Sequence, residues 1–524
     1  MTKTTNSKLY TCAYIFLALP IIIFMLGWMK WFLAIPATAV AVFALYKMCK
    51  DTPDSGYKIP TDRGSIEKIV LVGIIVFFWV YLSGIGALSY QNGDHATRNG
   101  IFELLVHYKW PVKANSFVYA TSAFEDRGLI YYLGYWLPAA VVGKLFGLVA
   151  GYLFQLVWAW LGIMLLYLLI CEQVREIKVW PMLMFMSFGG LDFIGYMLLA
   201  LDKTKVWGSN QLEWWSYYYQ FSNVTTQLYW VFNQAIPLWI AMMLMLKQKN
   251  NRYLVTILGF VFICSALPTI GMVPIMLYLG LSRKYYVKSE ELCIKNKSWW
   301  KLFAKDTFTP ENILGGGITG IITALYYMSN GSGKTFRIAF APFDNYIQAT
   351  KMAAMQTEGI IFDIPYGGFN NYNKGMLFVY LMFILLEVGV YYIAIYKYQK
   401  NNGLFYVSLA WLLICPLFKV GVWADFCMRA SLPALFVLFV LVLDTLKKSA
   451  AAKDRVVQIS LIIFLCIGAI TAFHEVYMST NMTFTDLWTG KNMMQNALQI
   501  DAILPQSNFS GSVDSSIFFR FLAK

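Results

Sequence analysis

Three ionisable side chains stand close together in Y-Q-N-G-D-H-A-T-R-N-G: Asp94, His95 and Arg98, directly after the apolar run Ile69–Leu88. A helix leaving lipid for water would set them at a membrane surface, where partial desolvation and a neighbouring cation tune a carboxyl for proton removal. Asp94, Arg98, Ile101, Leu105 and Tyr108 are spaced by four, three, four and three, so on one helix they share a face. That spacing predicts that Asp94 points toward the apolar body of the protein. Asp94 after Gly93 also suits a helix N-cap, with Arg98 as its local partner or as an anchor for lipid phosphate.

Other charged positions invite the same weighing. Asp425 and Arg429, in W-A-D-F-C-M-R-A-S-L-P, lie i,i+4 at the start of an apolar run. They can pair as a salt bridge, or the Arg429 fork can match phosphate oxygens. Asp192 falls inside the apolar run Trp180–Ala200, where a charge costs ~2.5–3.5 kcal/mol, so it must face a partner or a wet cavity. A functional role and a structural hydrogen bond to another span both meet that need. His95, His107 and His474 are the three histidines. With Asp94, Asp126 and Glu475 they offer donors that suit Mn or Zn, or they are simply amphipathic side chains at an interface.

The elements that must position these groups are membrane spans. The chain has 524 residues, 59% hydrophobic and 13% charged, with a mean hydropathy of +0.56. Such a chain has no polar coat for water, so an all-α polytopic membrane protein is expected. The net charge of +14 is spread over short basic blocks between apolar runs, the pattern of cytoplasmic anchoring and not of nucleic-acid binding.

Apolar runs near the ~20 residues needed to cross hydrocarbon predict about thirteen transmembrane helices. They are Tyr10–Trp28, Phe32–Met48, Ile66–Leu88, Gly151–Ile170, Trp180–Ala200, Trp230–Leu246, Leu254–Leu267, Thr269–Leu281, Ile313–Tyr327, Met376–Tyr396, Leu404–Val422, Ser431–Leu446 and Val456–Phe473. The first is read as a retained span and not a signal peptide. The basic connectors fall on one side if Leu129–Gly147, with Pro138 and Lys144, lies along the interface instead of crossing. The N-terminus is then cytoplasmic and the C-terminus external. The membrane domain is expected over 1–473, with two extra N-terminal spans (10–48) and an external loop (90–150), followed by an external tail (474–524).

Long external segments are expected at Tyr90–Ala150, Leu201–Tyr229, Ser329–Gly375 and after Phe473, and segments of that length are usually functional. The aromatic stretch Trp207–Phe221 suits either sugar stacking or an interfacial belt. Gly315–Gly317 lacks the Lys-Ser/Thr of a phosphate loop, and neither G-x-S-x-G nor C-x-x-C occurs. These absences disfavour an ATP-driven transporter, a serine hydrolase and a zinc site of that type.

The order of a long apolar span, Asp94 at its outer end, amphipathic helices and then Y-Y-L-G-Y-W-L-P-A-A-V-V-G-K-L-F-G before the next span resembles the GT-C superfamily of membrane glycosyltransferases. The resemblance is specific over about Ile69–Ile170 and architectural beyond it, and the whole chain resembles bacterial multispanning membrane proteins. It implies that the first large external loop, made of interfacial helices, carries an acidic base for an acceptor hydroxyl, and that the donor is a polyprenyl-phosphate sugar. Asp94 takes the base position. Arg98, Arg127 and Arg429 are candidates for the donor phosphate, with His95, Glu125, Asp126, Asp192, Asp425 and His474 in second line. The partners implied are the lipid donor, a glycan or lipid acceptor and membrane lipids, without nucleic acid. No cofactor is required, although the histidines and acids leave a divalent metal open. The rival readings are a transporter or flippase of a lipid-linked saccharide, which would place ionisable residues at mid-depth on several spans, and a non-catalytic membrane scaffold.

Overall fold

The computed structural model describes residues 6–53, 55–114, 126–200, 211–216, 219–282, 298–331, 338–340, 372–420 and 425–524. Glu125 lies outside them. In chain order the helices are α1 (Ser7–Trp28), α2 (Trp31–Lys50), α3 (Arg63–Leu82), α4 (Gly93–His107), α5 (Leu137–Phe146), α6 (Leu148–Val174), α7 (Trp180–Ser187), α8 (Asp192–Ala200), α9 (Val224–Lys247), α10 (Leu254–Phe262) and α11 (Ala266–Leu281). They continue with α12 (Ser298–Thr307), α13 (Thr319–Met328), α14 (Tyr372–Ile384), α15 (Val390–Gln399), α16 (Gly403–Ile414), α17 (Asp425–Ala430), α18 (Leu432–Ala451), α19 (Arg455–Trp488) and α20 (Ile500–Ile503). A wider-wound π segment, Leu385–Gly389, joins α14 to α15.

Among the described residues, nine helical stretches are long and apolar enough to cross a membrane. With almost no sheet beside them, the chain has the architecture of an all-helical multi-pass membrane protein. Every apolar run named above is helical in whole or in part. The interior gathers around α9, whose residues from Val224 to Met245 are nearly all buried. α2 and α3 instead turn Ile35, Val42, Phe43, Val70, Ile74 and Phe78 outward, exposed apolar faces in keeping with a multi-pass membrane protein.

Several expected boundaries move. The run Ile66–Leu88 stops being helix at Leu82, and the chain doubles back through Gly84 (φ +84°), where a Cβ would sit 2.7 Å from the Tyr90 carbonyl oxygen. The run Trp180–Ala200 is two helices, broken at Phe188–Leu191 around Gly189 and Gly190. α5 has ten residues, about 15 Å at 1.5 Å per residue and half of a span. It turns at Gly147 (φ +94°) to pack back along α6. At the other end of the chain, α19 runs through Phe473 to Trp488, so His474 and Glu475 sit within one continuous helix.

The chain beyond α19 packs onto the segment between α3 and α6. Strand β4 (Ser510–Ser512) pairs antiparallel with β1 (Arg127–Leu129), and the Leu498 amide donates to the Ala96 carbonyl at 2.8 Å. The last residue donates its amide to the Trp28 carbonyl at 2.9 Å. A second pair of short strands joins β2 (Ile338–Phe340) to β3 (Phe418–Val420).

Candidate functional site

The first turn of α4 is built by Asn92, not by Asp94. Asn92 Oδ1 accepts the Asp94 amide at 3.2 Å and lies 3.0 Å from His95 Nδ1. Its Nδ2 donates to the Tyr229 carbonyl at 2.9 Å. The expected capping role therefore belongs to Asn92, and the Asp94 carboxylate is left for another partner. Arg98 Nη2 supplies it at 2.7 Å.

Burial separates the two members of that pair. The Arg98 side chain is 6% exposed and the Asp94 side chain 52%. The shared face of α4 is buried from Arg98 through Ile101 to Leu105, but Asp94 lies one turn earlier, where the helix emerges from the bundle. The expectation that Asp94 points into the apolar body is thus corrected. Arg98 also donates to the Trp230 carbonyl and lies over the Phe232 ring, 5.5 Å from its centroid. Burial draws its pKa down from arginine's ordinary value while Asp94 opposes the change.

A second pair repeats the arrangement. Arg429 pairs with Asp425 at 3.2 Å, again i,i+4, with side chains 14% and 38% exposed. The two pairs, on α4 and α17, lie within electrostatic reach of one another: Asp94 and Asp425 both act on Arg429, and Arg429 acts on Arg98. Tyr131 lies within electrostatic reach of both pairs and Tyr132 of the Asp425–Arg429 pair, with their ring centroids 4.5 Å apart. Burial raises the Tyr131 phenol against the pull of Arg429 and Arg98, and pushes the Tyr132 phenol up to about 12. Arg98 Nη1 and Arg429 Nε have no hydrogen-bond partner among the described residues. Two buried guanidinium groups with donors to spare can take an anion, and a phosphate has the oxygens to satisfy both.

His95 is buried beside this group and stacks on Phe232 at 5.8 Å between centroids. Burial, and then Arg98, hold its pKa well below the ordinary value, so it is neutral near pH 7. Arg127 donates to Ser510 Oγ at 3.2 Å, and Asp126 accepts from the Ser512 hydroxyl and from the Asp514 amide at 2.7 Å. These two residues hold the tail strand, a role apart from the paired aspartates and arginines. His107 closes the far end of α4, about 18 Å from His95 along the axis. Among the described residues no group of three His, Cys, Asp or Glu side chains is placed to hold a metal ion.

Asp192 belongs to a different neighbourhood. It starts α8 just after the helix break, fully buried, and its Oδ2 accepts from Thr471 at 3.1 Å. Glu387, buried in the π segment, accepts the Trp215 indole N–H at 2.9 Å and lies within hydrogen-bonding reach of Asp192. Glu213 is the third acid there. It accepts the Asn223 amide at 2.7 Å and Gln220 at 2.8 Å, and burial followed by the Asp192 charge pushes its pKa up to about 8. Sequence reasoning passed over Glu387 and Glu213. The signal for Glu387 was legible as one acid inside the apolar run L-L-E-V-G. Trp215, Tyr219 and Phe221 are buried, the latter two against Phe383, so of the described aromatics in that stretch Trp214 is the exposed one. Sugar stacking is not open to the other three.

No protein-family model, curated protein or solved structure matches this chain.

Proposed function

We propose that this chain is a GT-C-type glycosyltransferase of the cell membrane, moving a sugar from a polyprenyl-phosphate donor to an envelope glycan, lipid or protein acceptor on the external face. The reading takes about thirteen crossings, a cytoplasmic N-terminus and an external C-terminus. The observation that carries it is the convergence of two aspartate–arginine pairs, with Arg98 buried and Arg429 largely so, each arginine with one guanidinium N–H unpartnered among the described residues. In this mechanism Arg98 and Arg429 bind the donor phosphate and stabilise it as it leaves, so no nucleotide or metal is needed. Asp94, the more exposed acid, takes the acceptor hydroxyl's proton as the new glycosidic bond forms. Tyr131 lies within electrostatic reach of both pairs. The test is sugar transfer from a polyprenyl-phosphate donor by the purified protein in reconstituted membranes. Transfer that is absent from wild type, or that is present and unaffected by Asp94→Asn, would remove the reading.

A second reading, a transporter or flippase of lipid-linked saccharide, is favoured by one observation. Asp192 and Glu387 are buried acids on different candidate spans, one at a helix break and one in a π segment. Broken helices and paired carboxylates within the bilayer are the means by which carriers bind coupling ions. Movement of the lipid-linked sugar across proteoliposomes without any new glycosidic bond would favour this alternative.

A further inference from the structure

Asp192 and Glu387 come from segments far apart in the chain, and the backbone itself brings them together. The Leu191 amide donates to the Leu386 carbonyl at 3.1 Å, which stitches the start of α8 onto the π segment. Gly190 fits so closely against that segment that a Cβ there would sit 1.8 Å from Glu387 Oε2. Gly189, Gly190 and Glu387 line one small cavity with Phe188, Ser222 and Gln227, with room for about one water molecule.

The hydrogen bonds around the pair leave one oxygen unaccounted for. Thr471 donates to Asp192 Oδ2 and Trp215 donates to Glu387 Oε1. Glu387 Oε2 receives nothing from any N–H or O–H of the described residues, although it is fully buried and the Asp192 carboxyl is within reach. Among the described residues, the titratable groups that face the pair are Glu213 from the 3₁₀ turn Leu212–Ser216 and Tyr391 from α15; Glu475 of α19 acts on Glu213. None is a cation. Two carboxylates at this distance in a low dielectric cannot both be ionised unless a cation intervenes.

We propose that Asp192 and Glu387 hold a single proton between them and form a proton-binding site inside the membrane domain. One carboxyl donates its O–H to the other, and the acceptor keeps the negative charge, with Thr471 donating to Asp192 and Trp215 to Glu387 whichever of them is ionised. The proton thereby joins the broken α7–α8 element to the π segment of α14–α15. This inference rests on neither functional reading, because it concerns a protonation state and not a transferred or carried substrate.

Infrared spectroscopy of the full-length protein at neutral pH tests it. The probe, on a Glu213→Gln background so that the third acid cannot titrate, is the difference spectrum of the native pair minus the double variant Asp192→Asn with Glu387→Gln, whose two amides can still hydrogen-bond to each other. The expected difference is the loss of one protonated-carboxyl band, which shifts in deuterium oxide, together with one carboxylate band. A difference that holds only carboxylate bands would mean that both acids are ionised around a cation, and would overturn the proposal. Two protonated bands would overturn the sharing. Should the double variant not fold, Thr471→Val removes one hydrogen bond from Asp192 and leaves both acids in place. It should shift the protonated-carboxyl band, and an unmoved band would count against the pair.

Discussion

Arg98 donates to the carbonyl oxygen of Trp230 from the same nitrogen that holds Asp94. α9 supplies that carbonyl because it leaves helical geometry at Val231 (φ −143°, ψ 31°). The neighbouring Tyr229 carbonyl receives Asn92 in the same way. Two adjacent carbonyls of the most buried helix therefore hold the first turn of α4, and with it Asp94.

Asn92→Ala should loosen both attachments at once. It removes the cap of α4 and the bond to Tyr229, and loss of an N-cap alone costs about 0.5–2 kcal/mol. Thermal unfolding in detergent should show a lower midpoint, with Asn92→Asp recovering the cap but not the bond to Tyr229. An unchanged midpoint in Asn92→Ala would mean that α4 is held by its apolar face alone.

The same contacts explain what could be read from the sequence. Apolar runs such as Tyr10–Trp28 and Trp230–Leu246 announced themselves because a span needs a long stretch without charge, and that is a local property. Asp94, Arg98, Asp425 and Arg429 were legible as charged residues at span ends. Their convergence was not, since it depends on a kink in α9 and on the packing of α17. The same holds for Glu387 beside Asp192: the sequence marks an acid in each apolar run, but only the break at Gly189–Gly190 brings them together. Asn92 and Asp94 are both good caps two residues apart, so sequence alone does not choose between them, and the choice falls to Asn92 through its second bond to Tyr229.

Arg98→Ala and Arg429→Ala should each weaken use of the lipid donor. A charge-assisted hydrogen bond is worth about 1.5–3 kcal/mol, which corresponds to roughly tenfold to a hundredfold in apparent donor affinity. Titration of the transfer rate against donor concentration reads the effect. Exchange of charges, Asp425→Arg with Arg429→Asp, separates the roles. Recovered activity in that double variant would make Arg429 a salt-bridge partner and not a phosphate ligand.

Glu213 gives the protein a pH-dependent stability. Its folded pKa, pushed up to about 8 by burial and by Asp192, lies above the unfolded value for glutamate. The stability that its protonation contributes is full below the unfolded pKa and is lost as pH rises through the folded one. Wild type should thus lose thermal stability between about pH 5 and about pH 9, and Glu213→Gln should flatten that slope. The glutamine's side-chain oxygen can still accept the Asn223 amide. A slope identical in both proteins would assign the loss to other groups.

Gly190→Ala probes the tight approach between the α7–α8 break and the π segment. The added methyl would meet Glu387 Oε2 at 1.8 Å, and the Leu191–Leu386 backbone bond leaves the helix break little room to withdraw. Overpacking of this kind costs about 1–3 kcal/mol. Fluorescence-detected thermal unfolding should show the loss. Gly320→Ala, at a helical position where nothing lies within 4 Å, should be the milder change. If the two variants were equally stable, the contact at Gly190 would not be a tight one.

Asp94→Asn separates catalysis from structure. The capping work at this turn is done by Asn92, and the Asp94 side chain is about half exposed, so an amide in its place should leave the fold intact. That amide would still accept a hydrogen bond from Arg98 but could not take a proton. A general base typically contributes about 10²–10⁴ to rate, so sugar transfer should fall by that factor while the unfolding midpoint stays near that of wild type. Donor affinity should change much less than in Arg429→Ala, because the phosphate site keeps both guanidinium groups. Asp94→Ala should lower the rate as far and also release Arg98 from its carboxylate, with a further cost in stability. A well-folded Asp94→Asn protein with full transfer activity would exclude Asp94 as the base, and would leave the paired aspartates and arginines as a binding site for the lipid-linked substrate of a carrier.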